Sequence, residues 1–164
     1  MATVASTQLF NGPIEIGLRC LVLLLEAFPS ELDLQKLVTL DYLLVHSGDV
    51  AGGPRSLHPP SPLRAGEVAV RRGILEDGLR LYRTRGLISQ LLSPDGIRYV
   101  ADESAAGFVD ALSSAYVAEL RVRAEWIFEG LGLLDGDALA RVLDDSLGRW
   151  RTEFALLTEE GDPG

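Results

Sequence analysis

Four side chains near the middle of the chain have the types that could do chemistry: Asp41, His46, Asp49 and His58. Imidazole and carboxylate together suit zinc or manganese. Their spacing matches no ligand motif, however, and hydrogen bonding at a helix end and in a loop accounts for the same residues without a metal. The two histidines with Ser47 or Ser56 would supply a base and a nucleophile, but no nucleophile elbow or oxyanion turn surrounds them. Gly12, Gly48, Gly52 and Gly53 form neither GxxxxGK[ST] nor GxGxxG, and the single lysine, Lys36, sits mid-helix, so no phosphate loop is expected. The lone Cys20 lies in an apolar run and reads as a small buried hydrophobe. No enzyme and no cofactor is expected.

A second group is basic. Arg72, Glu76, Arg80 and Arg83 share a helical face about 80° wide at ~100° per residue, and Arg98 follows in a β-prone run. With Arg98 as a wing residue, the three arginines are candidates for contact with DNA phosphate or with a partner protein. The competing reading is a solvated face on which Glu76 pairs with both Arg72 and Arg80 at i,i+4. Charge bears on the choice. The chain carries −9, but between Arg55 and Arg98 eight basic residues stand against four acidic ones, leaving −13 on the remainder. Such a protein gains little from non-specific attraction to DNA, so any nucleic-acid contact is confined to this segment or supplied by a partner.

The elements that must position these groups follow from periodicity. At 164 residues with 47% hydrophobic content, the chain is long enough for one well-buried core. Residues 1–10 lack periodicity and read as a flexible arm. Asn11-Gly12-Pro13 announces a helix with Glu15 in its first turn, and Ile14, Leu18, Leu21, Leu25 and Phe28 mark a buried stripe, widened by Val22, Leu23 and Leu24. Pro29 ends it. Asp33 caps a second helix whose buried side holds Leu34, Leu37, Val38, Leu40, Leu44 and Val45.

Residues 47–62, with four Pro and three Gly, form a long loop. A third helix follows, with Ile74, Leu75, Leu81, Tyr82 and Gly78 at helical spacings, and Gly86 able to take the left-handed conformation that ends it. Leu87 to Leu92 and Ile97 to Val100 flank Ser93-Pro94-Asp95-Gly96, a hairpin signal. Phe108, Leu112, Tyr116, Leu120, Ile127, Phe128 and Leu131 continue at helical intervals with a break at Ser113-Ser114. A last stripe, Leu139, Leu143, Leu147, Trp150 and Phe154, could dock on the domain or on another chain.

The predicted fold is mainly α: a winged helix-turn-helix core with one β-hairpin over 11–101, a C-terminal helical extension over 102–157, and a disordered acidic tail at 158–164. The longest apolar run, Cys20 to Leu25, is six residues, too short to span a membrane, and the first ten residues lack basic charge, so a cytoplasmic location is expected.

Several runs resemble the middle component of bacterial three-component ABC ATPase systems, the group that includes Lamassu-type anti-phage defence. They are Ile14-Glu15-Ile16-Gly17-Leu18-Arg19, LDLQKLVTLDYLLVHSGDV with GGPRSLHPPSP, VRRGILEDGLRLYRTRGLI, and Leu147-Gly148-Arg149-Trp150-Arg151. DYLLVHSGD followed by SLHP is the most distinctive. The resemblance implies a non-enzymatic subunit that bridges an SMC-like ATPase and an effector, and it brings no catalytic residues. It also implies that Asp41, His46, Asp49, Arg55, Leu57 and His58 serve a structural or partner-binding role. A DNA-binding transcriptional regulator of the same fold remains the alternative, and double-stranded DNA within a complex and a homodimer of the isolated chain both stay open.

Overall fold

A computed structural model describes residues 12–59, 64–131, 137–142 and 144–145, and for 64–69 only the backbone. The element order is α1 (Pro13–Ala27), β1 (Leu32–Asp33), α2 (Leu34–Val45), a 3₁₀ turn (Ser47–Asp49), α3 (Arg64–Thr84), β2 (Ile88–Ser93), β3 (Gly96–Ala101), α4 (Ala105–Asp110) and α5 (Ala115–Gly130). Residues 137–142 are helical as well. The chain is therefore mainly helical with a small antiparallel sheet of order β1-β3-β2. Helix, strand, two helices and a hairpin, with the first strand beside the third, are compatible with the expected winged-helix core.

Each helix boundary has a local cause. Gly12 precedes Pro13, which fills a first-turn position where no amide donor is needed. Asp33 ends β1 and caps α2, its Oδ1 accepting from Lys36 N at 2.7 Å. Gly86 stops α3 with φ of +73°, the left-handed conformation anticipated there. Ser93 pairs with Gly96 around the two-residue turn Pro94-Asp95. Ser114 caps α5, accepting from Val117 N, which fixes the break at Ser113-Ser114.

α1 is the centre of the core, as its apolar width suggested, but its buried surface differs from the predicted stripe. Ile14 and Phe28 are exposed, while Ile16, Cys20, Leu21, Val22, Leu23, Leu24 and Ala27 are buried. A helix packed on several sides has no single stripe, so a step pattern of 4 and 3 picks out only one of its faces. Its closest neighbour is α3. A Cβ on Gly78 would lie 2.7 Å from Pro13 O and 2.9 Å from Gly17 N, and one on Gly17 would lie 2.5 Å from the Tyr82 ring. The two glycines let the backbones approach where a side chain would hold them apart.

Among the described side chains of α3, the buried apolar ones are Leu75, Leu79 and Tyr82, with Ile74 and Leu81 only half-buried, so the buried face is turned slightly from the predicted one. β1 was not anticipated; two residues, Leu32 opposite Tyr99 and Asp33 opposite Arg98, carry no alternation to read. α5 packs on α1 and α2, and its Val117, Leu120, Ala124 and Ile127 join the same core, as does Leu139. Leu143, Leu147, Trp150 and Phe154, the arm at 1–10 and the tail at 158–164 lie outside the residues described with side chains.

Candidate functional site

The chemistry-bearing residues turn inward. Asp41, on α2, is fully buried and meets two guanidinium groups. Arg19 of α1 donates through Nε to Asp41 Oδ1 at 2.7 Å and through Nη2 to Oδ2 at 3.2 Å, a two-pronged contact. Arg71 of α3 donates through Nη1 to Oδ2 at 2.7 Å. One carboxylate thus joins α1, α2 and α3. Burial alone would raise the Asp41 carboxyl, but Arg19 and Arg71 outweigh it and hold it below the usual range. Burial also opposes the charge on Arg19, yet Asp41 raises its pKa above the ordinary value.

The cluster extends through aromatic groups. Arg71 lies over the Tyr42 ring at 5.6 Å, and the Tyr42 hydroxyl donates to Asp49 Oδ2 at 3.3 Å. His46 sits 4.7 Å from the Tyr42 ring and 6.2 Å from that of His58. His58 Nε2 and the Tyr116 hydroxyl of α5 share a hydrogen bond at 2.9 Å. Burial, with the nearby Arg19 charge, brings His58 down to about 3, so it is neutral near pH 7. Burial raises the Tyr116 phenol.

The long loop after α2 is held to this cluster as far as His58. Leu57 N and His58 N both donate to Val45 O at 3.0 Å. Ser47 Oγ donates to Pro54 O at 2.9 Å, and Gly48 N donates to Ser56 Oγ at 2.9 Å. Arg123 of α5, itself buried, donates from Nε and Nη2 to Arg55 O at 3.0 and 2.6 Å. Arg55 therefore contributes its carbonyl here, while its side chain is exposed, and Leu57 packs against the core.

Of the residues singled out in this region, Asp41, His46, Asp49 and His58 do come together. Asp41, His46 and His58 are buried and Asp49 half-buried, and the four are linked by hydrogen bonds and ring contacts to partners that spacing did not reveal. Among the described residues no three His, Cys, Asp or Glu side chains are arranged to hold a metal ion. The partners missed were Arg19, Arg71, Tyr42, Tyr116 and Arg123. A signal for the Arg19–Asp41 pair existed: Arg19 is the one cation of α1 and Asp41 the one acid of α2, each set in an apolar run, and such charges are seldom buried unless paired.

The arginine group occupies the surface. Arg72 lies 3.7 Å from Glu76 and donates to Gln35 Oε1 at 3.0 Å. Arg80 pairs instead with Asp77, at 3.5 Å, which corrects the expected double pairing through Glu76. Arg80 and Arg83 line a groove of about 320 Å³ with Glu76 and Leu79 of α3, Leu34 of α2, and Gln90, Ile97 and Tyr99 of the hairpin. Arg98 is not among them. Side chains alternate along β3, so Arg98, between Ile97 and Tyr99, faces the other side of the hairpin.

Over residues 9–153 the chain matches the model of one protein family, the ABC-three component (ABC-3C) system Middle Component 2. The chain belongs to that family. No curated protein and no solved structure matches it. As a middle component it is an accessory subunit of an ABC-three component system and not the ATPase of that system. No helix among the described residues is long and apolar enough to cross a membrane.

Proposed function

We propose that this middle component is a non-enzymatic adaptor that bridges an SMC-like ATPase and an effector in an anti-phage defence system. The observation that carries this reading is the division of the surface from the interior. Asp41, His46 and His58 are all less than a tenth exposed, with Asp41 bonded to Arg19 and Arg71 and His58 to Tyr116, contacts that serve packing geometry. What faces outward is the groove edged by Arg80 and Arg83, together with the apolar hairpin tip of Leu91, Leu92 and Ile97. Membership of a family named as one component of a three-component system supports partners drawn from the other components.

Co-expression with the ATPase and effector encoded in the same system tests this directly. A complex containing all three chains, and loss of phage protection when this chain is omitted, are the expected results. Elution of the chain alone in every pairwise and three-way combination would refute the reading.

A second reading, a winged-helix regulator that binds duplex DNA, is favoured by the element order and by Arg80 and Arg83 on α3. It requires a mobility shift that weakens steeply with salt and is lost in Arg80→Ala and Arg83→Ala. Glu76 and Asp77 on the same face weigh against it, since they place carboxylates where phosphates would come.

A further inference from the structure

The groove between α3 and the hairpin has two kinds of wall. In an antiparallel pair, directly opposed residues point to the same face. Gln90 with Tyr99 and Leu92 with Ile97 therefore share one face of the hairpin. Gln90, Tyr99 and Ile97 line the groove, and Leu92, next on that face, is 83% exposed. Leu34 and Leu79 add apolar lining from α2 and α3. Along the α3 side stand Arg80 and Arg83, both exposed, with Glu76. Arg80 is only loosely engaged, at 3.5 Å from Asp77. The Arg83 charge opposes the effect of burial on the Tyr99 phenol, in keeping with its place beside that ring. A segment that fits must bring aliphatic side chains for the hairpin face and carboxylates for the two guanidinium groups.

The chain carries such a segment in its own sequence. Residues 154–162, Phe154-Ala155-Leu156-Leu157-Thr158-Glu159-Glu160-Gly161-Asp162, lie outside the described residues and set two leucines just before two glutamates, with no cation among them. The other stretches outside the described residues do not match. Residues 1–11 and 60–63 have no charged side chain, and 132–136 have a single carboxylate. Residues 146–153 carry two arginines, which Arg80 and Arg83 would repel.

Length permits the contact. Asp145 is the last described residue, and from it to Glu160 the chain reaches about 50 Å when extended. Carried as a helix to Phe154, the same stretch still reaches about 34 Å. A globular chain of 164 residues has a radius of gyration of about 15 Å and so a width of roughly 40 Å. The tail therefore spans most or all of the molecule.

We propose that residues 154–162 fold back onto this groove within the same molecule. Leu156 and Leu157 cover Leu92 and Ile97, while Glu159 and Glu160 pair with Arg80 and Arg83. The tail thereby closes the exposed apolar face of the hairpin in the free chain, and any component that takes this face must first displace it. Because the ion pairs lie at the surface, the contact loosens as salt is raised. The inference stands apart from the adaptor reading, and either can hold without the other.

The test uses the full chain labelled with nitrogen-15 and bearing a nitroxide spin label at Gly161→Cys. Cys20 is fully buried, so the label is confined to the tail. Amide signals of Gln90, Leu92, Ile97 and Tyr99 are compared before and after reduction of the nitroxide. In the parent these signals should lose most of their intensity. They should regain it in Glu159→Lys with Glu160→Lys, in Leu156→Asp with Leu157→Asp, and in Arg80→Glu with Arg83→Glu. These changes fall in the tail or at exposed positions, and circular dichroism confirms that the fold is kept.

Broadening that is absent in the parent, or that survives any of the three double variants, overturns the assignment. A mixture of isotope-labelled chain without the nitroxide and unlabelled chain with it reports on contact between molecules. Equal broadening in that mixture means that the tail of a second copy fills the groove, and the intramolecular assignment fails. None of these outcomes bears on co-purification with the ATPase and effector, which tests the adaptor reading separately.

Discussion

Asp41→Asn should be the most damaging conservative substitution in the protein. The asparagine keeps the shape of the side chain but removes the charge that two buried guanidinium groups share. Arg19 is fully buried and Arg71 nearly so, so neither can turn to water without opening the core. Breaking a buried ion pair by removing one partner typically costs ~3–5 kcal/mol. Domains of this kind have only about 5–15 kcal/mol in total. With a urea slope of about 2 kcal/mol per molar, the midpoint should fall by roughly 1.5–2.5 M, followed by circular dichroism at 222 nm.

A companion variant keeps the reasoning testable if the single one does not fold. Replacing the whole triad by apolar groups of similar size, Arg19→Met, Asp41→Leu and Arg71→Met together, should recover most of the loss, because it removes the desolvated charges as well as their attraction. An Asp41→Asn chain within about 1 kcal/mol of the parent would refute the assigned role of the carboxylate. So would a triple variant no more stable than the single one. The pH dependence has a fixed sign. Because the folded pKa of Asp41 is lowered, its contribution is complete above the ordinary carboxylate value of about 3.9 and is lost as pH falls through the lower folded value.

His58 titrates in the same direction but over a higher window. Its folded pKa is lowered to about 3, so its contribution is present above the unfolded value of about 6.5 and declines as pH falls from there toward 3. Stability should drop by up to ~1.4 kcal/mol per pH unit in that window, and denaturation series at several pH values should show a shallower slope for His58→Gln. Gly78→Ala should separate α1 from α3, since the new methyl would meet the backbone of Pro13 and Gly17; a loss of about 2 kcal/mol or more is expected in thermal melts. Gly86→Ala should cost ~1 kcal/mol through its φ of +73° alone, because its Cβ would meet nothing.

The backbone plan was largely legible because its signals are local. Asp33, Gly86, Ser93-Pro94-Asp95-Gly96 and the break at Ser113-Ser114 each act through their own few residues, and each does what its type predicts. The pairing of distant charges was not legible. Arg19 and Asp41 are 22 positions apart and Arg71 and Asp41 30, and the bond from Arg123 to the Arg55 carbonyl spans 68. Nothing in their spacing selects those partners from the other arginines of the chain. β1 failed for a different reason, since two residues are too few for alternation to show. The error on α1 came from reading one stripe on a helix enclosed by α2, α3, α5 and the hairpin.

The same physical contrast separates structure from function here. A histidine or aspartate catches the eye because it can do chemistry, and in this chain such residues were the first to be singled out. Yet a buried, fully charged triad is an expensive way to hold helices together, and apolar residues of equal volume often do as well. What the triad adds is geometry: a two-pronged Arg19–Asp41 contact and a third bond from Arg71 tolerate little rotation of α3 against α1 and α2. α3 is also the helix that carries Arg80 and Arg83 beside the hairpin. A residue with reactive potential can therefore matter to partner binding without touching a partner, by fixing the angle at which the groove is presented. On this argument the apolar triple variant should fold yet bind its partner more weakly, whereas equal affinity would reduce the triad to a packing device.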